Sequence, residues 1–162
     1  MMQSRAAFIS PRQPINYHSE QGAPGEVLKM AGNNKISVLL IDDSEMTRSV
    51  LRTIIKGDTF DVVAEAKNGA TGLERAYMLH PDIVCLDISM PDMGGIEVLK
   101  QIKSELTDTV VLMVTSGNDA DTVQAAIESG AAGFIIKPFV VATVQAMMKT
   151  AASKVREIRA RQ

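Results

Sequence analysis

The chain has 162 residues with 17 basic and 19 acidic side chains, a net charge of −2, 46% hydrophobic and 4% aromatic content, and no Trp. That length suits one domain with some excess, and a core built here must be aliphatic. No run of about 18 uninterrupted apolar residues occurs, which argues against a membrane span. The N-terminus also lacks the apolar stretch of a secretory signal, so a cytoplasmic protein is expected.

The charge is uneven: residues 1–34 carry +1, residues 35–139 carry −7 and residues 140–162 carry +4. An acidic body is a poor surface for nucleic acid, so no direct nucleic-acid contact is expected. The single Cys85, inside DIVCLD, can form no internal disulfide and reads as a small buried thiol in a reducing compartment.

In chain order, residues 1–34 show no sustained period and scatter Pro11, Pro14, Gly22, Pro24, Gly25 and Gly32 among polar residues, the composition of a disordered arm. Met30, opening MAGNNKISVLLIDD, offers an alternative translation start. Codons for Gly25-Glu26-Val27 can spell a purine-rich ribosome-binding sequence, and peptides from the native N-terminus distinguish the two starts. From residue 35 to 162 one domain is predicted. Apolar runs at 35–41, 61–66, 82–87, 109–114 and 132–136 read as buried parallel strands. Between them, helical stripes cover 45–56 (Met46, Val50, Leu51, Ile54, Ile55), 70–79 (Ala70, Leu73, Ala76, Tyr77), 95–105 (Ile96, Leu99, Ile102), 120–129 (Val123, Ala126, Ile127) and 139–160 (Val141, Val144, Met148, Ala151, Val155, Ile158). Five βα units with short links imply an α/β fold with a doubly wound parallel sheet.

Chemistry-bearing residues fall at the strand ends: Asp42-Asp43 after KISVLLI, Asp87 after PDIVCL, Thr115 after VVLMV, and Lys137 before Pro138. The carboxyl edge of a parallel sheet is where open α/β folds place their chemistry. Three carboxylates, a hydroxyl and an ammonium gathered there suit a Mg²⁺-dependent site that accepts a phosphoryl group. A carboxylate can attack phosphorus to form an acyl phosphate. Its repulsion from an anionic donor calls for a divalent cation, and Mg²⁺ favours oxygen ligands. A strand-end Asp can instead be a helix N-cap, and Asp43 or Ser44 could cap the helix at 45–56. His18 and His80, the only histidines, lie in no ligand or phosphotransfer context and read as solvent-facing.

VLLIDDS, CLDISMPDMGG, VTSGND and GAAGFIIKPF, in this order and spacing, resemble the response-regulator receiver domain of bacterial two-component signalling over residues 35–155. Within that family the likeness is to the stand-alone, single-domain chemotaxis type. The resemblance implies a flavodoxin-like strand order 2-1-3-4-5 and a cis Lys137-Pro138 bond. It makes Asp87 the phosphoacceptor, with Thr115 and Lys137 binding the phosphoryl oxygens. Mg²⁺ would be held by Asp43, Asp87 and the backbone carbonyl of Ser89, with Asp42 acting through water. Thr115 and Phe134 would form the switch. Phe134 stands where the chemotaxis regulator has Tyr and offers no hydroxyl, which argues against direct flagellar-motor binding. Ser89 and Gly117 sit beside the family's hydrolysis-tuning positions and supply no group to align water, so slow self-dephosphorylation is expected.

The implied partners are a histidine kinase or histidine phosphotransfer protein, and a downstream protein on the face formed by residues 119–160. The protein would catalyse only its own phosphorylation and dephosphorylation. A phosphate sink, a stress-signalling adaptor and a receiver fragment of a longer transcription regulator are the alternatives. A phosphatase of the haloacid-dehalogenase class would need a second Asp two residues after the nucleophile, where Ser89 stands.

Overall fold

The computed structural model describes residues 34–117 and 119–162; the N-terminal arm and its alternative start, and His18, lie outside the described residues. Each apolar run forms a strand and each amphipathic stripe a helix: β1 (Ile36–Ile41), α1 (Glu45–Ile55), β2 (Phe60–Ala66), α2 (Gly69–Leu79), β3 (Ile83–Asp87), α3 (Gly95–Glu105), β4 (Val110–Thr115), α4 (Ala120–Glu128), β5 (Gly133–Ile136) and α5 (Val141–Ala160). The strands are all parallel, in the order β2-β1-β3-β4-β5. The expected α/β architecture, its strand order and its flavodoxin-like character are therefore present.

Strand periodicity divides the core between the two faces of the sheet. Val38 and Leu40 of β1 pack with Leu51, Ile55, Val144 and Met148 beneath α1 and α5. Leu39 and Ile41 pack with Leu73, Val98, Leu99 and Ile102 beneath α2 and α3. Full burial of such a side chain is worth about 1.5–3 kcal/mol. The central strand β3 is buried throughout. Its Cys85 is 1% exposed, and burial pushes the thiol up to about 12, which makes it inert.

The caps follow local chemistry. Ser44, Asn68 and Asp119 accept from the backbone N–H three residues on, at 3.2, 2.8 and 3.2 Å. Ser44 thus caps α1, and Asp43 is left for other work. Several helix-stripe expectations are corrected. Met46 is 77% exposed, and Val50, Ala70, Tyr77, Ile127 and Val141 also face outward. The sheet contacts only a narrow stripe of each short helix, so apolar residues at the stripe's margin stay uncovered. The last helix begins at Val141 rather than 139, two residues clear of the cis Lys137-Pro138 bond. His80 is half-buried and closes α2 in the left-handed conformation at φ 45°.

At the opposite end of the sheet the extended α5 is tied down. Arg159 donates to the buried Asp82 at 2.8 Å. Asp82 also accepts from the Ser37 backbone N–H and hydroxyl at 2.9 and 3.0 Å. Gln162 donates to Asp108 at 2.9 Å.

Candidate functional site

Asp42, Asp43, Asp87, Thr115 and Lys137 meet at the carboxyl edge because β1, β3, β4 and β5 all end there. Asp42 and Asp87 are 2% and 5% exposed, whereas Asp43 projects outward. Carboxylate oxygens of Asp42, Asp43 and Asp87 lie within 4.8 Å of one another. The Lys137 ammonium sits 3.1 Å from Asp42 Oδ2 and 3.6 Å from Asp87 Oδ1. Backbone pairing sets these distances. Asp87 lies opposite Val114 and Thr115 opposite Ile136, and the Lys137 N–H donates to the Thr115 carbonyl at 2.8 Å.

The Asp42 peptide is held on every side. Its N–H donates to Ala66 O at 3.0 Å, and its Oδ1 accepts from the Ser44 N–H at 2.8 Å. Its carbonyl accepts from Arg48 Nη1 at 2.6 Å. Oδ2 is buried and receives no hydrogen bond; Lys137 faces it as a charge rather than as an aligned donor. A buried, unsatisfied carboxylate oxygen is costly unless a cation answers it.

Asp87 is less at ease as an anion. Burial, and next the charge of Asp42, push its carboxyl up to about 6, against the opposing pull of Lys137 and of the Ser89 N–H. That N–H is 3.4 Å from Asp87 Oδ1, and Ser89 itself is exposed. The loop that carries Ser89 is pinned twice. Gly95 N–H donates to Ile88 O at 2.8 Å. Asp92 accepts from the Gly69 and Ala70 N–H groups at 3.0 and 3.1 Å, at the N-terminus of α2; these bonds hold its carboxyl below the usual range. Gly95 has to be glycine, because a Cβ there would fall 2.2 Å from Asp87 O.

The Thr115 hydroxyl accepts from the Gly117 N–H and donates to the Gly117 carbonyl, both at 3.1 Å. Phe134 pairs with Met113 in register and packs, half-buried, on the α2–α3 side of the sheet. Arg48 and Glu65 lie outside the quoted motifs, and Asp92, although inside CLDISMPDMGG, has no role marked by it; a charged side chain looks alike in sequence whether it holds a neighbour or faces water.

The model of the response regulator receiver domain matches residues 38–149. Chemotaxis protein CheY of Listeria monocytogenes is 39% identical over 104 residues, which are 64% of this chain and 87% of that protein. The transcriptional regulatory protein LiaR of Bacillus subtilis is 41% identical over 103 residues, 63% of this chain and 49% of LiaR. Among solved structures, the receiver domain of the response regulator AraT from Geobacillus stearothermophilus aligns with a TM-score of 0.72 at 25% identity, covering 76% of this chain and 98% of that one.

The chain belongs to the response regulator receiver domain family.

Receiver domains of this family typically bind Mg²⁺, and the residues present fit it. The donors are hard carboxylate oxygens, they converge, and the orphaned Asp42 Oδ2 lies among them. Among the described residues, no helix of this receiver domain is long and apolar enough to cross a membrane.

Proposed function

We propose that this receiver domain accepts a phosphoryl group on Asp87 from a phosphohistidine, carried by a histidine kinase or a histidine phosphotransfer protein, and signals through protein contacts. The convergence of Asp42, Asp43 and Asp87 with Lys137 3.6 Å from Asp87 Oδ1 carries this reading.

An Asp87 carboxylate oxygen attacks phosphorus. The P–O bond of an acyl phosphate forms, the P–N bond to the donor imidazole breaks, and that imidazole takes up a proton from water. Asp43, Asp87 and the Ser89 carbonyl would hold Mg²⁺, with Asp42 acting through water; the ion supplies positive charge to the phosphoryl oxygens. Lys137 neutralises the same oxygens from the β5 side. The Thr115 hydroxyl turns from the Gly117 carbonyl to the new acceptor, and Phe134 follows into the space released. Phosphorylation adds about −1.5 to −2 charges, which biases two packings of the face formed by residues 119–160. Ile127, Ile136, Val140 and Val141 are exposed on that face and suit a protein target. The protein turns over no substrate other than its own phosphoryl group.

The likeness to CheY over most of that protein's length favours a single-domain regulator working in chemotaxis. The likeness to LiaR, of which the chain spans about half, favours a second reading as the receiver segment of a longer regulator. Mass spectrometry after treatment with acetyl phosphate and magnesium tests the shared core. One phosphoryl group is expected on the wild type and none on Asp87→Asn; an unchanged mass for the wild type rejects the reading.

A further inference from the structure

We infer that Arg48 is a positioning residue for the magnesium site, acting through the backbone of Asp42. The inference rests on the functional reading above and adds to it a residue outside the metal and phosphoryl contacts. Arg48 lies on α1, its side chain only 14% exposed. Nη1 donates to the Asp42 carbonyl at 2.6 Å and Nε to Glu65 Oε1 at 3.2 Å. Glu65, on β2, is engaged from its other oxygen by Arg52. The guanidinium is therefore a fixed brace between the edge strand and the turn that presents Asp42 and Asp43. Without it, the Asp42 carbonyl would lose this donor, and the link from the turn to Glu65 on β2 would go with it. A planar, forked donor can hold two acceptors at once, whereas an ammonium on a flexible stem cannot hold that geometry. Partners of this kind, which orient metal ligands without touching the metal, typically change affinity by about 10–100-fold when removed.

Charge and positioning predict opposite signs here. If Arg48 acted only as a positive charge near the acids, deleting it would tighten magnesium binding by reducing repulsion of the cation. If it braces the turn, deletion weakens binding. Arg48→Lys keeps the charge and loses the brace; Arg48→Met loses both.

Magnesium titration of the full chain by calorimetry, with acetyl phosphate phosphorylation followed in parallel, decides between them. We expect the magnesium dissociation constant to rise about tenfold in Arg48→Met and at least threefold in Arg48→Lys. At saturating magnesium the phosphorylation rate should return to within about twofold of wild type, since the acceptor is untouched. Melting temperatures in EDTA should stay close to wild type for Arg48→Lys. Wild-type magnesium affinity in Arg48→Lys overturns the inference, whatever Arg48→Met does. A fall in its EDTA melting temperature that accounts for the weaker binding also overturns it, by making the role structural. A wild type that binds no magnesium and takes up no phosphoryl group instead rejects the functional reading itself.

Discussion

Asp87 combines burial, which disfavours its charge, with the proposed role as phosphoryl acceptor, which requires it. In magnesium-free buffer the unfolded chain gives up this proton near pH 4, whereas the folded one holds it to about pH 6. The stability the carboxyl contributes is thus fully present below about pH 4 and is lost as pH rises through 6. Asp87→Asn, which cannot ionise, should be more stable than wild type at pH 7.5, and the margin should shrink toward pH 4. Urea titrations of both proteins in EDTA across that range measure the difference. Magnesium should remove most of the wild type's disadvantage, because it answers the charge that burial opposes. Ser89 and Gly117 belong to the same scale. Both are exposed, and among the described residues no atom beyond Gly117 and its chain neighbours lies within 4 Å of where a Gly117 Cβ would sit. Neither has a carboxylate or amide to align a hydrolytic water, so the phosphorylated protein should decay slowly. Ser89→Asn should accelerate loss of labelled phosphate several-fold, and an unchanged decay would remove these positions from the control of its lifetime.

The loop between β3 and α3 is the element on which the site's geometry turns. Gly95→Ala would press a methyl against the Asp87 carbonyl and the Ile88 Cα at 2.2 and 2.7 Å, both backbone atoms that cannot swing away. A cost near the upper end of the about 1–3 kcal/mol typical of overpacking is expected. Phosphorylation should also be lost as the Asp87–Ile88 peptide shifts, which denaturation and acetyl phosphate assays would read separately. Asp92→Ala removes a cap shared between this loop and α2 and should lower the midpoint of thermal unfolding. At this scale most of the structure was legible. Strand and helix limits fell within about two residues of their expected places, because runs such as DIVCLD and VVLMV leave little choice of period. The acids, Thr115 and Lys137 were legible for the same reason: each follows or ends a strand, and parallel strands bring their ends together. Arg48, Glu65 and Asp92 were not. Their partners lie 6, 17 and 23 residues away, and a charged residue looks the same in sequence whether it braces a turn or faces water. The helix margins failed for a related reason: Met46 and Ile127 have the right hydrophobicity, but among the described residues no neighbouring element covers them.

Across the whole molecule, the two ends of the sheet have different tasks. The carboxyl edge gathers like charges and leaves Asp42 Oδ2 without a donor, whereas the amino edge closes its polar groups on one another. Asp82, Ser37 and Arg159 join β3, β1 and the last turns of α5 in one network. Arg159→Met should destabilise the fold by about 1–2 kcal/mol, less than for a fully buried pair, because the arginine is 37% exposed. In melting temperature that is about 4–8 °C. Phosphorylation at the far edge should remain intact, and calorimetry paired with the acetyl phosphate assay tests both halves of the statement.

The single thiol of the chain has a use that its inertness creates. Cys85 is enclosed in the middle strand, two residues from the Asp87 carboxylate, and a maleimide can reach it only when β3 parts from its neighbours. Alkylation kinetics therefore record how often the heart of the sheet opens. Comparing them with and without magnesium would show, from one natural reporter, how firmly events at the acidic edge clamp the strand that carries it.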